Sequence, residues 1–230
     1  MLDREIALSL LIVVALVGSA LGYLAFLAAD RLSKPFFGAK ETTQGPHNCR
    51  LAEALNAAFI GAGIVTLLTL TFGPSDSAIL AAGFAITLLT LSLIDLKHFV
   101  LPDALTLPLL WAGLLANIWG YFAPLQDAVI GAVLGYMSLW VIYWSFKLLR
   151  GKEGLGYGDF KLNAAIGAWL GWQALPAVVL IAAISGLCAG LLLMAAKRMR
   201  SEQPLPFGPL LAAAGFIELS AQGALGRWLF

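Results

Sequence analysis

The sequence predicts an all-α fold, a polytopic membrane bundle of about eight transmembrane helices, and three observations carry that expectation. Of the 230 residues 60% are apolar and 12% charged, and the mean hydropathy of +0.89 lies far outside the range of soluble domains. Apolar stretches recur along the chain at lengths close to the roughly 20 residues that cross about 30 Å of hydrocarbon. Apolar and polar residues do not alternate within them, so they suit helices rather than the period-two strands of a membrane barrel.

The first stretch, 6–29, lies in MLDREIALSLLIVVALVGSALGYLAFLAADRLSKP. Its apolar run is too long for a signal peptide and its basic residues cluster after it, so a retained first helix is expected. Stretches 54–72, 78–94, 104–123 and 128–146 each approach a spanning length. The sixth, 162–172, is short and works as a crossing only if its helix starts inside the preceding GLGYGD or is shortened by packing against its neighbours. Stretches 174–196 and 207–225 complete eight helices, with seven as the nearest alternative. No repeat or low-complexity tract interrupts the pattern. The longest connection, 30–53, is read as a short cytoplasmic loop with the turn-prone KETTQGPHN at its centre, and residues 1–230 as a single membrane-embedded domain.

Lys and Arg accumulate in cytoplasmic loops. With eight crossings, all of the 14 basic residues except Arg4 and Arg227 fall on one side, and the connections 73–77, 123–127 and 172–174 hold none. Both termini are therefore expected to face away from the cytoplasm, and the net charge of +1 conceals a strong asymmetry. No basic cluster is interleaved with aromatic residues, so no nucleic-acid partner is expected.

The two cysteines, Cys49 and Cys188, cannot furnish a four-ligand metal site. Cys188, between Leu187 and Ala189, reads as a small buried hydrophobe. Cys49 beside His47 in GPHNCR offers half a zinc site without a second pair, so no metal is expected.

Chemistry in so apolar a chain should sit on its ionisable groups, because a charge within a membrane is expensive. The candidates are Asp95 in LSLIDLKHFVLPD, Asp103 eight positions on, Asp159 in GLGYGD and Glu218 in GFIELSAQ. Asp95 ends the third predicted helix and Asp159 begins the sixth, which topology brings to the same side and depth. Two facing carboxylates a few ångströms apart cannot both ionise, and such a pair shares one proton near neutrality. One member then draws a proton from water attacking a peptide carbonyl while the other hydrogen-bonds the carbonyl oxygen. Gly156 and Gly158 would let an extended substrate backbone approach and tolerate irregular backbone at the helix start. Simpler roles stay open: Asp159 as a solvated helix cap supported by Lys161, and Asp95 as an interfacial helix-end residue beside Lys97. Lys161 either orients Asp159 or snorkels to the headgroups. Glu218 is read as structural rather than as lining a water-filled site.

IDLKHFVLPDALTLPLLWAGL resembles the first catalytic segment of the type IV prepilin peptidases, and GLGYGDFKLNAAIGAWLGW resembles their GxGD segment, including the lysine after the aspartate. PLPFGPLLAAAG is similar to the family's late PFGP segment and GYLAFLAADRLSKP to the end of its first helix. The resemblance implies that Asp95 and Asp159 are the catalytic pair, with Gly156 and Gly158 the structural part of the motif and Lys161 a supporting residue. Asp103 occupies the LPD position, where a turn role is implied. It further implies a multi-pass enzyme of the bacterial inner membrane that cuts the leader from type IV prepilins or pilin-like type II secretion subunits, whose N-terminal helix is apolar. Many members also methylate the new N-terminus with S-adenosylmethionine. Those members carry a cytoplasmic insertion with two CxxC pairs after the first helix; this chain has only Cys49 there, so zinc is not expected. Proteolysis by an aspartate pair is expected to need no cofactor, and S-adenosylmethionine enters only if methyl transfer is retained. CRLAEALNAAF is similar to the stretch that follows that insertion.

Two other classes remain at this stage. One is another GxGD intramembrane protease, such as a preflagellin peptidase; the other is a proton- or cation-coupled transporter, which would place its carboxylates near mid-membrane rather than at helix ends. The charge count itself makes a prediction: cysteines introduced near Thr43 and Lys152 are labelled only from the cytoplasm, and one at Ser75 only from outside. Labelling at Lys152 from outside would overturn the eight-crossing topology.

Overall fold

The computed structural model describes residues 2–37, 47–151, 156–197, 205–223 and 225–226. Among them are eight α-helices and no strand: α1 (Leu2–Phe37), α2 (His47–Phe72), α3 (Asp76–His98), α4 (Asp103–Ile118), α5 (Leu125–Arg150), α6 (Tyr157–Leu170), α7 (Leu175–Ala195) and α8 (Gly208–Ser220), with a 3-10 turn at Trp172–Ala174. The predicted all-α fold and helix number are both met. Five segments are long and apolar enough to cross a membrane: Leu11–Leu32, Arg50–Phe72, Asp76–His98, Leu125–Leu149 and Trp172–Ala195. Helices α4 and α8 are shorter apolar helices.

Two expectations change. Helix continues well into the stretch read as the 30–53 loop, because α1 runs on to Phe37 and α2 already starts at His47. Residues 38–46 between them, which hold Thr43, lie outside the described residues, as do the side chains of His47 and Cys49. Cys188 is exposed rather than buried. It shares α7 with Ile184, Leu187, Leu191 and Leu192, all exposed, so this part of the helix turns an apolar surface outward. Composition cannot separate a protein-facing from a lipid-facing position on a helix that is apolar all round.

The chain divides into two compact units, Met1–Ile94 and Asp95–Phe230. In the first, α1 and α2 pack backbone to backbone, as membrane helices do where small residues meet. A Cβ at Gly61 would lie 2.6 Å from Gly22 Cα, so nothing larger fits at that crossing. Below it Phe26, Ala54 and Ala57 form a buried cluster with Leu27 and Leu93 against it.

The second unit is built around α6, which α4, α5 and α8 all pack against. Proline starts and glycine stops fix its helix ends: α4 follows Pro102, α5 follows Pro124, and α5 ends at Gly151 in the left-handed conformation (φ 65°). At 14 residues α6 is about 21 Å long, short of the hydrocarbon thickness. It begins inside GLGYGD, as its short apolar run requires, and is buried almost end to end from Asp159 to Trp169. It crosses α5 where Gly167 meets Gly131, each leaving no room for a Cβ on the other. Asn117 of α4 then ties three segments together. Its amide donates to the carbonyls of Ala168 and Trp169, both at 2.9 Å, and its oxygen accepts from the N–H groups of Phe122 and Ala123 at 3.1 and 3.0 Å. The Trp169 indole donates to Leu109 O at 2.8 Å and packs on Gly113.

Asn117 uses every hydrogen-bonding position of its amide at a fully buried site, so truncating it leaves buried backbone groups unpaired. Asn117→Ala is expected to lower stability in detergent by about 2–4 kcal/mol, read from the midpoint of denaturant unfolding.

Candidate functional site

The candidate site forms in the second unit, where three helix ends meet around two carboxylates. Asp95 lies in the last turn of α3, 6% exposed, and Asp159 in the first turn of α6, 7% exposed. They are close enough for the charge of Asp95 to act on Asp159. Neither is the solvated helix-end residue that the simpler roles describe.

Each carboxylate accepts a main-chain N–H from a glycine at the start of a helix. The Gly156 N–H donates to Asp159 Oδ2 at 3.1 Å, and the Asp159 N–H donates to Gly156 O at 3.2 Å. This reciprocal pair closes the N-terminus of α6 as the acidic half of a capping box does. The Gly208 N–H of α8 donates to Asp95 Oδ2, also at 3.1 Å. Helix N-termini leave unpaired N–H groups and carry positive potential, so both carboxylates sit where buried negative charge is best tolerated.

The two motif glycines play different parts. Over Gly156, which is exposed, a Cβ would find among the described residues only ordinary contact with Asp159 Oδ2 at 3.5 Å, so on that side the backbone is open to an approaching chain. Over Gly158 the space is filled: a Cβ would lie 2.8 Å from Leu101 Cβ. Gly158 therefore makes room for a side chain of this protein. Gly154 and Leu155, at the start of GLGYGD, lie outside the described residues.

Lys161 neither orients Asp159 nor reaches outward alone. Its ammonium donates to both oxygens of Asp103, at 2.6 and 2.8 Å, joining the second turn of α6 to the start of α4. That pairing gives Asp103, the first residue of α4, a partner that a turn role did not name. Glu218 is fully buried on α8 and accepts the Gly226 N–H at 2.8 Å, which fits the structural role expected of it. Around the start of α6, the rings of Tyr143, Tyr157 and Phe160 lie 5.3 to 5.7 Å apart, and Lys147 donates to the Tyr143 hydroxyl at 3.1 Å. Leu101 and Gly208 are the site residues to which sequence reasoning assigned nothing. The signal for Gly208 was present, a glycine between two prolines at the start of an apolar run. None existed for Leu101.

Fold and site define a polytopic helical membrane protein that buries two interacting carboxylates at helix ends. Residues 82–191, which include both, match the model of the type IV leader peptidase family. The chain is 62% identical over 144 residues to a prepilin leader peptidase/N-methyltransferase of Burkholderia pseudomallei, covering 63% of this chain and 47% of that protein. It is 52% identical over 165 residues to the protein of that name in Aeromonas salmonicida, covering 72% and 56% respectively. A third so named, from Pseudomonas aeruginosa, is 55% identical over 132 residues, or 57% of this chain and 46% of the relative. The chain spans about half the length of these curated relatives. No solved structure matches it. Motif, fold and similarity agree: residues 82–191 are similar to the type IV leader peptidase family, and the chain to proteins named prepilin leader peptidase/N-methyltransferase.

The Lys161–Asp103 pair is partly exposed, with side-chain exposures of 31% and 56%. Exposed ion pairs contribute little, so Lys161→Met is expected to change unfolding stability by less than about 1 kcal/mol. A larger loss in a denaturant titration would mean that the pair fixes the start of α6.

Proposed function

We propose that this chain is an aspartic endopeptidase that removes the N-terminal leader of type IV prepilins or pilin-like type II secretion subunits at the cytoplasmic face of the inner membrane, with Asp95 and Asp159 as its catalytic pair. The observation that carries the proposal is the burial of these two carboxylates at helix ends, each held by a glycine N–H, with Leu101 packed between the glycines beside them. The names of the relatives support the substrate class.

One carboxylate, ionised, takes a proton from a water molecule as its oxygen attacks the scissile carbonyl; the other, protonated, hydrogen-bonds the carbonyl oxygen. The resulting tetrahedral diol collapses as the C–N bond breaks and a proton passes to the leaving amine, giving a free carboxyl on the leader and a free N-terminus on the pilin. No covalent intermediate forms. The open backbone at Gly156 is the side from which an extended leader reaches Asp159. The placement of both aspartates in terminal helix turns favours this chemistry over transport. Gly156 and Gly158 shape the segment, and Lys161 pairs with Asp103. Charge distribution supports an orientation with both termini on the periplasmic side.

Methyl transfer is a separate matter. The relatives are named as N-methyltransferases, and the chain matches about half of their length. Among the described residues no group of three or more His, Cys, Asp or Glu side chains could hold a metal. A groove of about 700 Å³ between α5 and α7 is lined by apolar side chains, with Ser138 as its polar member. That lining does not suit the nucleoside and charged sulfonium of S-adenosylmethionine. Mass spectrometry of the cleaved pilin after incubation with the cofactor decides whether the N-terminus gains a methyl group.

Asp95→Asn and Asp159→Asn keep side-chain shape and lose the shared proton. Each is expected to lower cleavage of a prepilin in detergent by at least about 100-fold while the protein still accumulates in the membrane. Near-normal activity in either variant would remove that aspartate from the mechanism.

A further inference from the structure

We propose that Gly208, in the PFGP segment, is a positioning residue that holds the Asp95 carboxylate through its main-chain N–H and through its lack of a side chain. The inference rests on Asp95 being one of the catalytic pair.

The first turn of α8 has one donor to spare. Pro209 has no N–H, and the N–H groups of Leu210 and Leu211 both donate to Phe207 O, at 3.1 and 3.0 Å. The Gly208 N–H, buried at the first position of a 13-residue helix, is directed at Asp95 Oδ2, 113 positions earlier in the chain. Proline at position 209 offers no second N–H, so among the described residues the hydrogen bond held on Asp95 is the one from Gly208 to Oδ2.

Any residue at 208 except proline would supply that N–H, so the need for glycine is spatial. A Cβ there would stand 2.6 Å from Asp95 Oδ2, closer than real Cβ contacts come, and a tight 3.1 Å from its Cγ. It would also lie 3.3 Å from Leu101 Cδ1, and the same Leu101 side chain presses on Gly158, next to Asp159. Leu101 therefore sits between the glycines beside the two carboxylates. An added methyl at 208 must turn the Asp95 carboxylate away or push α8 back, and either breaks the hydrogen bond.

The test separates the donor from the space, using the purified 230-residue chain in detergent and a prepilin substrate. Gly208→Ala is expected to lower kcat by about 10- to 100-fold with KM within about twofold of wild type. Replacing the peptide bond between Phe207 and Gly208 by an ester deletes the N–H and adds no atom, so it remains informative if Gly208→Ala fails to fold. The ester is expected to lower kcat and to displace the pH–rate profile. Gly215→Ala, on the same helix against the flexible end of Ile166, is expected to keep wild-type kcat and profile. An ester variant with wild-type kcat and pH profile overturns the inference, whatever Gly208→Ala does. The catalytic assignment fails differently: Asp95→Asn would then retain cleavage, whereas failure of this inference alone leaves Asp95→Asn inactive and the ester variant normal.

Discussion

A carboxylate removed from water must be hydrogen-bonded, and in this chain the two that matter are held by glycine N–H groups at helix N-termini. Much of the second unit follows from that need. Helix α6 has to begin at Tyr157, so that the Gly156 N–H falls within reach of Asp159. Helix α8 has to begin at Gly208, with its first turn against the end of α3. Leu101, in the connection after α3, fits between only because positions 158 and 208 lack side chains. Each helix start thereby satisfies a donor that would otherwise be orphaned, and the same bond places an acid.

Helix α6 is the element on which this arrangement hangs. It is too short to span the hydrocarbon unaided, yet it is more thoroughly buried than the longer helices, whose outer faces carry exposed leucine, isoleucine and valine. Its burial depends on close backbone contact at Gly131 and Gly167 and on buried amides. Asn163 donates to Gly135 O at 2.8 Å, while Asn117 clamps the far end. In an apolar environment hydrophobic association between helices is weak, and shape fit with a few satisfied polar groups takes its place. The burial and close packing of α6 hold Asp159 in place, as the proposed shared-proton mechanism requires.

The motif GxGDxK is less of a unit in space than in sequence. Gly156 caps the helix and stays open, Gly158 admits Leu101, Asp159 turns inward, and Lys161 turns toward Asp103 on another helix. Successive residues of one helical turn point in different directions, so a compact sequence signature distributes its members over several contacts. The PFGP segment adds to the site from the other end of the chain.

Hydropathy and segment length determined the all-α class, the number of helices and the start of the sixth within GLGYGD, because those properties depend on local composition and on the thickness of a bilayer. The two aspartates were legible for a related reason, since an ionisable residue in an apolar run stands out against its neighbours. The limits were equally physical. Helix persists into 30–37 and 47–53 because polar residues are compatible with helix beyond the apolar run that hydropathy detects. Cys188 faces outward although its neighbours are as apolar as any core, because lipid and protein interior select the same residues. Tertiary structure alone decided that Lys161 pairs with Asp103, that Leu101 fills the space over Gly158, and that a backbone N–H at position 208 meets Asp95. These are contacts between segments distant in the chain, made by main-chain atoms or by the absence of a side chain, and neither leaves a distinctive mark on a residue's chemistry.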